Sequence, residues 1–282
     1  MKSAKRALAD TEAANPRTAM LGRGGTLATL RILQREDATV AAAVRRCLPQ
    51  VAAAVDRMTP RFRAGGRLIY IGAGTSGRLG VLDASEIPPT FGLSPARVIG
   101  VIAGGKRALT RSVEGAEDRA REAVRDLDRL RLRPSDTVIG LSAGGRAPYT
   151  VAALVHAGRR GCLTIAVANT AGSPLAQAAE MAIEAQTGAE AITGSTRLKA
   201  GTAQKMILNL ISNALMIRTG RGYGNLMLHL QPTNAKLRDR AERIVASLGG
   251  LRGASGRHRA RQLLAAAKGN VERAVELVKA GA

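Results

Sequence analysis

Apolar positions along this chain follow two different spacings. From Glu36 to Met58 they recur at helical intervals in an Ala/Val/Leu-rich stretch, which Gly65-Gly66 closes. Short continuous apolar runs follow at Leu68–Ile71, Arg97–Ala103, Thr137–Leu141 and Leu163–Ala168, with Ala182–Ile183 as a candidate fifth. Helical patterns separate them, notably Glu117–Leu130 and Pro148–Ala157. Apolar strands alternating with helices predict an α/β fold layered around a buried parallel sheet. Lys199–Thr219 predicts a long helix, broken by Gly220, Gly222 and Gly224. The tail from Gln231 reads as helical and polar, and Arg257–Ala280 as two short helices hinged at Gly269-Asn270. The expected organisation is a helical N-terminal segment over 1–60, an α/β domain over 61–228 and a small helical C-terminal module over 229–282.

Composition narrows the picture. With 45% hydrophobic residues but only 2% aromatics and no Trp, the core must be built from Ala, Val, Leu and Ile. That suits closely packed helices on a sheet. The formal charge of +22 raises nucleic acid as a partner. The excess is mostly scattered arginine, and stacking aromatics are almost absent, so no nucleic-acid role is expected. Cys47 and Cys162 are too few for a disulfide framework. The absence of an N-terminal apolar h-region and of any long uncharged apolar run predicts a cytoplasmic protein without membrane contact.

The richest segment is Arg67-Leu-Ile-Tyr-Ile-Gly72-Ala-Gly74-Thr75-Ser76-Gly77-Arg78. A β-branched run enters a Gly/Thr/Ser turn that opens a helix. Backbone N–H groups in such a turn, backed by a helix N-terminus, form an anion site. Thr75 and Ser76 add hydroxyl donors and Arg78 adds charge, which suits a phosphomonoester. Gly72-x-Gly74-x-x-Gly77 also satisfies a dinucleotide fingerprint, but no acid stands at the end of the second strand to take a ribose. Gly100 to Lys106 imitates a P-loop, with Arg107 where Ser or Thr would hold magnesium. Gly140-Leu-Ser142-Ala-Gly144 imitates a nucleophile elbow, yet no oxyanion segment precedes it. Ser142, Gly144, Gly145 and Arg146 read equally well as a second phosphate loop. In an open parallel sheet the two loops meet at the carboxyl ends of their strands and can cradle one phosphorylated sugar.

Two acids accompany these loops. Glu86 precedes Ile87-Pro88-Pro89, so its helix is expected to end there and to present the carboxyl to the negative end of the dipole. Glu117 is expected at the positive start of Glu117–Leu130. Opposite environments of this kind separate acid from base. From the pattern alone, Glu86 also reads as a solvated helix end and Glu117 as an i,i+4 partner of Arg121. Asp118 and Glu114 are equally good acids on that basis. His156 reads as packing, no cluster has metal spacing, and no metal is expected.

Gly72 to Glu86 resembles the signature of the N-acetylmuramic acid 6-phosphate etherases. So do Ser112-Val-Glu-Gly-Ala-Glu117-Asp118, Thr193-Gly-Ser195-Thr196-Arg-Leu-Lys199 through Lys205, Gly224-Asn-Leu-Met227 and Thr233-Asn234. Thr11-Glu12, Asn15-Pro16-Arg17-Thr18 and Glu36-Asp37 fit as well. The resemblance runs from about residue 11 to the C-terminus.

The resemblance implies a parallel-sheet sugar isomerase (SIS) three-layer sandwich and a cytoplasmic homodimer. The implied enzyme is a cofactor-free carbon–oxygen lyase of amino sugar catabolism and peptidoglycan recycling. It would convert N-acetylmuramic acid 6-phosphate to N-acetylglucosamine 6-phosphate and D-lactate. Glu86 matches the family's proton donor and Glu117 its second catalytic glutamate. The implied phosphosugar ligands are Gly74 to Arg78, Ser142, Gly144 to Arg146, Ser195, Thr196 and Lys199, the last carried toward a partner subunit's site. In the open-chain sugar the ether oxygen on C3 is β to the aldehyde, so the C2 proton is acidic. The base removes it, the acid protonates the departing lactate, and water adds at C3. One departure stands out. The family's second loop reads Ala-Ser-Gly-Arg-Thr-Pro, against Ala143-Gly-Gly-Arg-Ala-Pro148 here. Each lost hydroxyl bond weakens binding by about 0.5–1.5 kcal/mol where nothing replaces it. A catalytically silent phosphosugar-binding regulator on the same fold, resembling glucokinase regulatory proteins, is the alternative.

Overall fold

The computed structural model describes residues 10–222, 224–230, 232 and 234–280. Thr233 of the resemblance, and Gln231 where the polar tail was placed, lie outside them. Two compact units emerge. One takes the chain up to Ser85 and again from Ala96 to Ser212, and the other takes Glu86–Pro95 and the chain from Asn213 onward.

The first unit opens with α1 (Thr26–Asp37), α2 (Val40–Arg46) and α3 (Leu48–Arg63). The single helix expected from Glu36 to Met58 is therefore interrupted twice. The Thr39 hydroxyl donates to the Glu36 carbonyl at 2.7 Å, a local bond that competes with helix propagation. Pro49 lies in the first turn of α3, where its missing N–H costs nothing. On α3, Val51, Ala54, Val55, Met58 and Phe62 are buried at helical spacing.

Strands β1 (Leu68–Gly72), β2 (Val98–Ile102), β3 (Thr137–Ser142), β4 (Leu163–Ala168) and β5 (Met181–Glu184) form one sheet in the order β2-β1-β3-β4-β5. Every pairing is parallel. Each expected strand is present to within a residue or two, including the fifth. The inner strands β1 and β4 are buried at every position, as their nearly continuous apolar runs require, Thr164 being the polar exception. Helices α4 (Gly74–Phe91), α5 (Ala120–Arg129), α6 (Pro148–Arg159), α7 (Pro174–Gln177) and α8 (Lys199–Arg218) complete the alternation. A Cβ on Gly100 of β2 would lie 2.5 Å from the Val81 Cα, so this glycine lets α4 sit directly on the sheet. Within the core, the Tyr70 hydroxyl donates to the buried Asp83 carboxylate at 2.9 Å and Ser212 donates to its other oxygen at 3.2 Å.

Two helix boundaries differ from expectation. Helix α4 continues through Pro88 and Pro89 to Phe91. Proline already holds helical φ, and Gly92, at φ +62, ends the helix by donating to the Pro88 carbonyl at 2.9 Å. Helix α5 starts at Ala120, not Glu117. Gly115 turns left-handed at φ +66 and opens a separate 3-10 turn, Ala116–Asp118.

The second unit holds α9 (Ala235–Leu248), α10 (Gly253–Ala266) and α11 (Val271–Lys279) around their own apolar cluster. The expected hinge falls between α10 and α11, where Gly269 has φ +81 and the Asn270 side chain caps α11 by accepting from the Arg273 N–H at 2.9 Å. Among the described residues, no helix is long and apolar enough to cross a membrane.

Candidate active site

The chain passes from β1 to β2 on one side and then returns to place β3 on the other. This reversal opens a crevice at the carboxyl ends of β1 and β3, the usual ligand position in such sheets. Both glycine-rich loops end there. After β1, Gly74 adopts φ +54 and starts α4. The first intrahelical bond runs from the Gly77 N–H to the Ala73 carbonyl at 3.1 Å, so the N–H groups of Gly74, Thr75 and Ser76 precede the helical ladder. A Cβ on Gly72 would lie 2.8 Å from the Leu141 oxygen, and one on Gly77 would lie 2.6 Å from the Gly72 oxygen. Gly72 and Gly77 of this apparent dinucleotide fingerprint thus serve close packing of helix and strands, and Gly74 supplies the left-handed turn.

After β3, the Gly145 N–H donates to the Ser142 carbonyl at 3.1 Å, with Gly145 at φ +63. The Asn169 N–H donates to Ala143 at 2.8 Å and the Leu175 N–H to Gly145 at 2.9 Å, tying the loop to the next strand connection. A Cβ on Gly145 would fall 2.2 Å from the Ser173 Oγ. Helix α6 then begins at Pro148 behind Ala147, which supplies no side-chain cap. Two helix N-termini therefore open on one cavity of about 450 Å³. Their partial positive charges favour an anion there.

Gly74, Thr75, Ser76, Ser142, Gly144, Arg146 and Thr196 line this cavity, together with Glu117. Gly77 and Gly145 stand behind it as buried backbone. Ser195 does not line it. Glu12 and Asp118 do, and neither was assigned there. Asp118 stood open as an alternative acid. Glu12 carried a signal only as part of the Thr11-Glu12 motif; its Oε2 lies over Gly194, 3.0 Å from where a Cβ would sit. Glu117 is exposed in its 3-10 turn, and Glu86 is exposed on α4 more than a turn before Phe91. The expected opposition of helix-dipole ends is therefore not what distinguishes the two acids, because that field acts only over the terminal turn.

Two expected phosphate ligands are placed elsewhere. Arg78 donates from Nε to the Leu109 carbonyl at 3.3 Å and from Nη2 to the Arg111 carbonyl at 3.2 Å, outside the cavity lining. Lys199 is fully buried, and its ammonium donates to the Glu36 Oε2 at 2.8 Å. It is part of the interior of its own subunit, not a cation presented to a partner. Glu36 also accepts from Arg17 at 2.6 and 2.8 Å and from Asn15 at 2.8 Å. The Arg17 bond holds the Glu36 carboxyl down at about 2; burial opposes the shift, and Lys199 and Asn15 add to it. Buried Glu190 accepts from the Lys199 and Ala200 N–H groups at 2.9 and 3.0 Å and so caps α8. Burial leaves its carboxyl above the usual range despite those two bonds. This clasp joins the segment bearing Glu12 to the segment bearing Gly194 and Thr196. The motif residues Asn15, Arg17, Glu36 and Lys199 shape the cavity wall without touching its contents.

Comparisons with known proteins bear on this arrangement. The Glucokinase regulatory protein N-terminal SIS domain matches residues 50–158, and the SIS domain matches residues 120–214. An N-acetylmuramic acid 6-phosphate etherase of Streptomyces coelicolor is 55% identical over 236 residues, covering 84% of this chain and 76% of the relative. One of Mycolicibacterium smegmatis is 48% identical over 272 residues, covering 96% and 90%. Among solved structures, a phosphoheptose isomerase from Francisella tularensis superposes with a TM-score of 0.52 at 14% identity, covering 68% of this chain and 98% of that one. At that identity the likeness concerns the fold alone.

Proposed function

Since this chain belongs to the N-acetylmuramic acid 6-phosphate etherase family, we propose that it cleaves the D-lactyl ether of N-acetylmuramic acid 6-phosphate. The observation that carries this reading is the cavity in which two uncapped helix N-termini face a carboxylate pair, Glu117 and Asp118. The helix ends take the phosphate through the N–H groups of Gly74 to Ser76 and the Ser142–Arg146 loop. Binding at the phosphate holds the sugar's C2 near the base. Glu117 removes the C2 proton of the open-chain aldehyde. The C3–O bond then breaks, water adds to the unsaturated aldehyde at C3, and the proton for the departing lactate oxygen is assigned to Glu86 on the family resemblance alone, since Glu86 is not among the residues lining this cavity. The substrate's own carbonyl takes the developing charge, so the reading needs no cofactor. General acid and base help contribute about 10²–10⁴-fold each.

On this reading the phosphosugar site belongs to the SIS portion over 61–228, between the helical segment 1–60 and the module 229–282. The enzyme acts in the cytoplasm, in recycling of cell-wall amino sugars, as a homodimer. The buried thiols of Cys47 and Cys162 suit a reducing compartment. Exposed Met20, Leu27 and Leu30, 55–59% accessible, supply apolar surface for a second copy.

The test is turnover in ¹⁸O-water. D-lactate without label, and sugar product with label at C3, supports elimination followed by water addition. Label in lactate means that another bond breaks. The match over 50–158 favours the regulator as a second reading, which predicts phosphosugar binding without turnover.

A further inference from the structure

Beside the main cavity lies a smaller one of about 160 Å³, and Ala73, Gly74 and Glu117 line both. Its remaining wall is mixed: Ala103, Ala108, Val113 and Ala116 supply methyl groups, and Arg78, Ser112 and Glu114 supply polar ones. Arg78 is the cation among its lining residues. That guanidinium spends one N–H of Nε and one of Nη2 on the Leu109 and Arg111 carbonyls. Of its five donors, the Nη1 pair and the second Nη2 hydrogen remain in fork geometry. Of the acids lining this cavity, Glu114 accepts the Ser112 hydroxyl, and Glu117 lines the main cavity as well.

We propose that this side cavity receives the lactyl substituent of the substrate and that Arg78 holds its carboxylate. The inference rests on the etherase reading and assigns a subsite within it. The substituent needs a place for one methyl group and one carboxylate next to the reacting carbon. The alanine and valine wall meets the first need and the guanidinium fork the second. Size alone agrees: a cavity of about 150 Å³ holds benzene, six heavy atoms, and lactate also has six. Position agrees too. With phosphate at the helix N-termini, the sugar runs toward Glu117, and because Glu117 lines both cavities a group on C3 can enter the smaller one while C2 stays beside the carboxylate. Arg78 is thus a specificity residue for the leaving group, which explains a conspicuous arginine after the phosphate loop that turns away from the phosphate.

The experiment compares the wild-type enzyme with Arg78→Gln and Arg78→Lys. It measures kcat/KM on N-acetylmuramic acid 6-phosphate, kcat/KM on the analogue whose lactyl carboxylate is a carboxamide, and Kd for N-acetylglucosamine 6-phosphate, which has no lactyl group. Arg78→Gln is expected to lower kcat/KM on the acid by about 10- to 100-fold, the worth of a charged hydrogen bond. It should leave the amide rate and the Kd unchanged, with Arg78→Lys between the two. An equal loss on acid and amide would overturn the proposal, as would a matching loss of N-acetylglucosamine 6-phosphate affinity, which would return Arg78 to the phosphate. If Arg78→Gln does not fold, Ala108→Leu fills the cavity instead. That variant should lose turnover yet bind N-acetylglucosamine 6-phosphate, and full turnover would overturn the proposal. Absence of wild-type turnover would refute the etherase reading itself, a result distinct from any of these.

Discussion

Replacing Lys199 by Met separates a buried structural ion pair from a ligand-binding lysine. Methionine keeps most of the stem volume and removes the ammonium that donates to Glu36 at 2.8 Å. The two side chains are 0% and 3% exposed, so water cannot take over the lost interaction. Breaking a buried pair from one side destabilises by about 3–5 kcal/mol. Glu36 keeps Arg17 at 2.6 Å and Asn15 at 2.8 Å, which points to the lower end, about 3 kcal/mol. For a domain of this size that corresponds to a fall in Tm of roughly 6–12 °C. Calorimetry at neutral pH measures the fall, and titration with N-acetylglucosamine 6-phosphate well below Tm measures binding. Adding Glu36→Gln should recover part of the loss, since the uncompensated charge is then gone. A Lys199→Met protein with wild-type Tm but lost phosphosugar binding would refute this reasoning and restore lysine to the ligand set.

Glu117→Gln should reduce kcat by about 10²–10⁴-fold while leaving N-acetylglucosamine 6-phosphate binding intact; steady-state kinetics with calorimetric titration decides it. Gly145→Ala should destabilise the second loop, because its Cβ meets the Ser173 Oγ at 2.2 Å and the residue holds φ +63; a loss above about 1 kcal/mol in urea unfolding is expected. Ala147→Thr adds the missing cap to α6 and should stabilise by about 0.5–2 kcal/mol in the same assay. Acid titration of stability tests Glu36, whose folded pKa of about 2 lies below the unfolded value. Its contribution, on the order of 3 kcal/mol, is complete above about pH 4.3 and lost as pH falls toward 2; Lys199→Met should shrink that acid slope.

The strands were legible because a buried parallel strand must be apolar at nearly every position, and short apolar runs between glycine-rich turns stand out in this sequence. The glycine loops were legible for a related reason: a tight turn from strand to helix needs residues without bulk and with free access to positive φ. Helix ends were less legible. Pro88-Pro89 predicts a stop, yet proline's fixed φ is compatible with a helix and the closing bond comes from Gly92. The start of α5 depended on the left-handed Gly115, whose turn carries no periodic signature.

The α/β class, the two glycine-rich strand-to-helix turns and, through long motifs in order, the family are all legible in the order of residues. All of these are written in contiguous residues. What the cationic side chains do depends instead on how distant segments pack. Arg78 and Lys199 sit in motifs that suggest phosphate, but where a long side chain ends depends on which carbonyls and carboxylates other segments bring near it. For Arg78 these are Leu109 and Arg111, and for Lys199 the distant Glu36. Likewise, Glu12 reaches the cavity because a clasp between segments far apart in sequence carries it there. Charge type is a property of a residue, whereas the partner of that charge is a property of the fold.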